Sequence, residues 1–355
     1  MPAQPTLDAW LGSRAPKQQQ SQDGQRTSQS PMPQRQSSPD WNTQSTEASQ
    51  TQSQASQIPS SPAPSAASRT NYQARREALA ATAAETRTVL PDILRKLPNI
   101  QAAKAEALFL DRLAPLDPAD CPGHTKTAIS VINEDTFNAA IALSASSPSP
   151  SSRVAVLNMA SHSSPGGGWI RGAFAQEEML CYRSSLSLSL HRRYYPWKQR
   201  MGLYTGDVVI IRSDMPSGHR LMGHLTPDQL PVVSAVSIAA LRTPAVTTST
   251  VRLADGTTVD EEMYARPQDR DLTKDKMRLC LRIAAKRGHG KIVLGALGCG
   301  AFRNPPGEVA RCWREVFAEA EFDGGWWESV VFAVYDTKGE GNFAVFEDVL
   351  GGVEV

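Results

Sequence analysis

Cysteine is scarce, and what there is carries no pattern. The 355-residue chain has five cysteines, an odd number with no CxxC and no paired spacing. That excludes a disulfide framework and points to a reducing compartment. Six histidines show no metal-ligand spacing, so no structural zinc and no cofactor is expected. Charge of one sign is lacking as well. Lys and Arg number 37 against 36 Asp and Glu, a net charge of +1, so any attraction for a polyanion must be local rather than global. No apolar run is long enough to cross a bilayer. The N-terminus has neither the charged region nor the apolar core of a signal peptide. A soluble intracellular protein of nucleus or cytoplasm, without a membrane partner, is the expectation.

Residues 1–70 lack almost every side chain that builds a core. They are Ser, Gln, Pro and Thr, with hardly an aromatic or aliphatic β-branched residue after Trp10. Such a segment cannot bury enough apolar surface to offset its ordering entropy, and a disordered tail is predicted. One island interrupts it, Gln4-Pro5-Thr6-Leu7-Asp8-Ala9-Trp10-Leu11. Its Gln, its aliphatic residue three places on and its bulky apolar pair resemble a sliding-clamp (PCNA) interacting peptide, although Leu11 stands where that family has a second aromatic.

From Asn71 the composition turns to Ala, Arg, Glu and Leu. Leu79, Ala83, Val89, Leu90, Ile93, Leu94 and Leu97 recur at helical spacing around Pro91, which predicts one helix or two short ones as a leader over 71–126. Residues 127–355 then alternate strand and helix. Strands are predicted at 128–132, 154–157, 208–211, 232–238, 291–296 and 329–334. Helices are predicted at 135–143, 177–190, 275–287, 307–320 and 343–350. The alternation implies an α/β fold whose mostly parallel sheet lies between two helical layers. Ligands of such sheets gather at the carboxyl ends of the strands. Asn158, the glycines at 166–168, the 297–302 loop and Tyr335 all fall there.

The densest stretch is PGGGWIRGAFAQEE, residues 165–178. Three glycines leave a strand, and Gln176 with two carboxylates opens a helix. Glycine lets bare backbone amides approach a ligand and takes positive φ freely. The helix start adds unpaired N–H groups that favour anions. A second loop, LGALGCGAFRNPP at 294–306, frees its backbone at Gly298 and Gly300 to wrap a diphosphate ahead of a helix. Cys299 has no His partner nearby in sequence and reads as a small loop residue.

Triple glycine followed at this spacing by Gln-Glu-Glu resembles the signature of poly(ADP-ribose) glycohydrolases, and the wider likeness is to the microbial-type family, from about Arg75 to Leu350. VAVLNMA at 154–160, EEMLCYRSSL at 177–186 and LGALGCGAF at 294–302 carry it. The resemblance implies a macrodomain-like three-layer fold that binds ADP-ribose and hydrolyses its polymer with water and no metal, as a monomer, in the DNA-damage response. It implies that Glu178 acts as general acid and then base, with Glu177 on the ribose hydroxyls or leaving group. It places Asn158, Gly166, Gly167, Gly168 and Gln176 around the ligand. Gly298, Cys299, Gly300, Ala301 and Phe302 would hold the diphosphate and distal ribose, and Asp135 and Tyr335 the adenine. A non-catalytic ADP-ribose reader is the alternative, and intact Glu177 and Glu178 argue against it, since a reader needs no acid. Residues 213–227 and 241–270 depart from the family pattern and are given no role.

Overall fold

The computed structural model describes residues 66–146, 153–252, 256–337 and 339–355. The Gln4–Leu11 island and nearly all of the predicted tail lie outside the described residues.

The leader forms one helix, α1 (Ala66–Arg95), which runs through Pro91. A proline there removes one N–H and one ladder bond close to the helix end. Leu79, Ala83, Thr86 and Leu90 are buried along it, and that packing outweighs the local defect.

A seven-stranded sheet follows. Its strands are β1 (Glu106–Phe109), β2 (Ser130–Ile132), β3 (Ala155–Met159), β4 (Met201–Val209), β5 (Val232–Ile238), β8 (Lys291–Leu294) and β9 (Ser329–Ala333). They run in the order β1-β4-β5-β3-β8-β9-β2. The β5-β3-β8-β9-β2 pairings are parallel, whereas β1 and β4 form an antiparallel edge. The two faces separate by residue parity. Val156 of β3 and Ala235 of β5 pack with α1, α2 (Thr136–Ala145) and α3 (Gln176–Arg183). Leu157 and Val236 face the opposite layer of α4 (Pro267–Lys286), α5 (Pro306–Phe317) and α6 (Asn342–Leu350). The predicted three layers are present.

Three local expectations need correcting. The helix after the signature ends at Arg183, not at residue 190. Ser184 turns extended, with φ −150°, and bridges Ile210, while its hydroxyl donates to Leu180 O at 2.7 Å. Asn158 lies inside β3 instead of closing it, and pairs in register with Ser237 of β5. Residues 241–270, left without a role, contain a separate two-stranded ribbon, β6 (Val246–Arg252) against β7 (Thr258–Tyr264). The short β1 was not anticipated either, because four half-exposed residues give no periodic signal.

Candidate active site

Strand β3 ends beside α3, and Gln176 fastens the two together. Its Oε1 accepts from Met159 N at 2.8 Å, and its Nε2 donates to Leu157 O at 2.7 Å and to Thr136 Oγ1 at 3.2 Å. Expected at the ligand, Gln176 instead spends its amide on the protein and fixes where the next two residues point.

Those residues are Glu177 and Glu178, both buried. Glu178 bridges two backbone amides: Oε1 accepts from Gly168 N at 2.8 Å and Oε2 from Ala175 N at 3.1 Å. The second bond is half of a capping box, since Ala175 has no side-chain oxygen to return it. Gly166 and Gly167 take φ of 65° and 58°. A Cβ on Gly167 would stand 2.2 Å from Glu178 Oε1. The middle glycine is therefore required by space as well as by φ.

Glu177 accepts from Ser161 N at 2.8 Å and lies 3.5 Å from Asn158 Nδ2. Its carboxyl is pushed up to about 8. Burial is the main cause, the Ser161 amide opposes it, and the charge of Glu178 adds to it. This is the ordinary response of a carboxyl group deprived of water next to a like charge. Asn158 also donates to Ser237 Oγ at 3.0 Å, while its Oδ1 is buried without a hydrogen-bond partner. A buried orphan acceptor on a side chain whose amide nitrogen approaches Glu177 suits a hydroxylated ligand.

The second loop leaves β8. Gly298 has φ +79°, and Asn304 N donates to Gly298 O at 3.0 Å, closing the loop on itself. Gly300 has open space where a Cβ would stand, and Gly300 and Ala301 are exposed. Phe302 is partly buried, and its carbonyl accepts from Thr243 N at 2.8 Å. Burial pushes the Cys299 thiol up, which keeps it protonated and a poor nucleophile. Sequence reasoning missed Asn304. Its Nδ2 donates to Leu241 O at 2.7 Å and Gly298 O at 3.1 Å, and its Oδ1 accepts from Tyr264 of the ribbon at 2.9 Å. A polar residue wedged between a glycine loop and Pro305-Pro306 was the available signal.

Asp135 and Tyr335 lie near one another, for the Tyr335 phenol is pushed up by burial and then by Asp214 and Asp135. Tyr335 is 43% exposed, a ring offered to solvent rather than a core aromatic. Asp135 is more engaged than expected. Its Oδ1 caps α2, accepting from Phe137 N at 2.7 Å and Asn138 N at 3.2 Å, and pairs with the buried Arg183. Only Oδ2 is left for a base.

With this geometry in place, comparison with known proteins shows what the chain is similar to. The family model of the microbial-type PARG catalytic domain matches residues 45–213. Over that stretch the chain resembles the microbial-type PARG family. The crystal structure of poly(ADP-ribose) glycohydrolase (PARG) from Thermomonospora curvata is similar at 26% identity and a TM-score of 0.60, covering 77% of this chain and 99% of that one. The same enzyme bound to the inhibitor ADP-HPD gives 0.59. The Deinococcus radiodurans PARG in complex with ADP-ribose is similar at 28% identity and a TM-score of 0.53, covering 69% of this chain and 94% of that one. No curated protein sequence matches. The PARG likeness places the chain among macrodomain-like folds and among enzymes that cleave glycosidic bonds.

Proposed function

We propose that this chain, a member of the microbial-type PARG family it resembles, hydrolyses the ribose–ribose O-glycosidic bonds of poly(ADP-ribose), releasing ADP-ribose, with Glu178 as the acid and base. The observation that carries the reading is Glu178 held between Gly168 N and Ala175 N beside a glycine with no room for a Cβ. An oxocarbenium-like transition state requires a proton on the leaving ribose oxygen and then a base for water, and one carboxyl group can perform both in turn. Glu177, protonated near neutral pH, donates to a ribose hydroxyl, and Asn158 Oδ1 accepts from one. The 298–302 loop takes the diphosphate, Phe302 the distal ribose, and Tyr335 with Asp135 Oδ2 the adenine.

In this reading 1–70 is a tail without a catalytic role, 71–126 a leader and 127–355 the catalytic domain. The chain acts as a monomer in the nucleus or cytoplasm. Likeness to clamp-binding peptides supports docking of Gln4, Leu7 and Trp10 on a sliding clamp (PCNA).

The test is Glu178→Gln, which preserves shape and deletes the proton. Polymer turnover should fall by about 10²–10⁴-fold, the usual worth of acid–base assistance, while ADP-ribose affinity changes only a few-fold. Turnover near the wild-type rate would overturn the assignment and favour an ADP-ribose reader.

A further inference from the structure

Between α3 and β4 the chain reads HRRYYPWKQR, residues 191–200, basic and aromatic side chains interleaved. From 179 to 206 there is no Asp or Glu at all. The segment borders the carboxylate pair. Trp197 N donates to His162 O at 2.8 Å, in the loop that carries the three glycines. The charge of Glu177 contributes, after burial, to pushing the Tyr195 phenol up. At its far end Leu110 N donates to Arg200 O at 3.0 Å. Tyr194 OH donates to Ala105 O at 2.8 Å, and His191 Nε2 is 2.7 Å from Ala103 O. Backbone and ring contacts thus fix the strip on the rim of the site.

Its cations are left over. Arg192, Arg193 and Lys198 are exposed, and among the described residues none has a carboxylate within ion-pair distance. Lys198 and Arg112 both lie over the Phe109 ring, at 5.8 and 5.5 Å, and Arg193 stacks on Tyr194 at 5.0 Å. Arg200 differs, since Asp275 at 2.8 Å and Asp111 at 3.6 Å neutralise it. Beyond it Asp269 and Asp271 line the groove towards the start of α4 and bound the basic surface. In a chain of net charge +1 this is a local anion surface of the kind a global charge cannot provide. Two more polar groups in the strip, Tyr195 OH and Trp197 Nε1, are buried without hydrogen-bond partners.

We propose that Arg192, Arg193 and Lys198 form an outer subsite for the diphosphates of ADP-ribose units beyond the one held at Glu178. The choice of anion rests on the glycohydrolase reading; the surface itself does not. Exposed, aromatic-backed cations on a strip that touches the glycine loop hold a flexible polyanion by charge without demanding one register. The subsite serves the polymer and not a single ADP-ribose held at Glu178.

The experiment uses the full chain carrying Glu178→Gln, so that binding is read without turnover. Its affinity for long poly(ADP-ribose) is measured by fluorescence anisotropy across a salt series, with and without Arg192→Ala, Arg193→Ala and Lys198→Ala together. Each neutralised phosphate of a single strand contributes about 0.7 to the slope of log affinity against log salt. The triple variant should therefore lose a slope of about 2, which is the loss of a roughly 20-fold salt effect between about 50 and 200 mM. Free ADP-ribose should bind both proteins equally. An unchanged slope for polymer overturns the subsite. Equal losses for polymer and for a single-stranded oligonucleotide of matched charge, with neither preferred by the parent, overturn the polymer and assign the surface to nucleic acid. A wild-type chain that never releases ADP-ribose would sink the proposed function while this binding result still stands.

Discussion

Replacing Glu177 by glutamine should make the protein more stable, and increasingly so as pH rises. The sign follows from the raised carboxyl. A group whose folded pKa lies above its unfolded value contributes stability below the unfolded value, and that stability is lost as pH rises through the folded one. For Glu177 the window runs from the ordinary 4.5 to about 8. Inside it the unfolded chain releases a proton that the folded chain keeps. Each pH unit then costs the wild type about 1.36 kcal/mol relative to a variant with nothing to titrate. Glutamine keeps an acceptor for Ser161 N and introduces no charge. Between about pH 5.5 and 7.5 its advantage should grow by about 3 kcal/mol. In a domain of this size that is on the order of 5 °C in Tm. Thermal unfolding of both proteins in matched buffers reads the difference directly, and every other titrating group cancels. A difference that stays flat across the range would refute the reasoning, because it would mean that Glu177 ionises in the folded site as it does in water.

Two further outcomes are expected. Gly167→Ala places a methyl 2.2 Å from Glu178 Oε1 at a φ of 58°, so polymer turnover should fall at least about 100-fold, the lower worth of acid–base assistance, with the far-UV spectrum unchanged; calorimetry and turnover check it, and full activity would show that the loop relaxes. A peptide of residues 1–17 should bind a sliding clamp and lose binding on Trp10→Ala, and no binding at high micromolar concentration ends that reading.

The sheet and its helical layers were legible because buried strands such as 232–238 and amphipathic helices such as the one expected at 275–287 carry their periodicity in the sequence, although that helix begins eight residues earlier, at Pro267. The carboxylate pair was legible because glycine is the one residue that can be read as an absence of side chain. Residues that act through geometry were harder to see. Gln176 looked like a ligand contact because it adjoins the carboxylate pair, and only coordinates reveal that both ends of its amide are used on β3. Asp135 was readable as an acidic residue after a strand, but its cap on α2 and its pairing with Arg183 join residues 48 apart in sequence. The ribbon at 246–264 was missed because its Thr-rich, exposed strands bury too little to alternate. Its Tyr264 nevertheless holds Asn304, and through it the glycine loop at 298–302.

One contact behind the signature has a consequence for how this domain tolerates change. At Gly172 an added Cβ would stand 2.0 Å from the carbonyl oxygen of Arg76, on α1. The helix presses on the turn through its main chain, and the Arg76 side chain adds to the grip, its Nε and Nη2 donating to Arg171 O at 3.3 and 3.0 Å. Position 172 can carry no side chain, while a change at position 76 gives up those bonds and leaves the backbone contact in place. A designer swapping leaders between such enzymes would have to carry across both the path of a backbone and the arginine that pins it. The first of these is written in the sequence only as a glycine in the signature stretch.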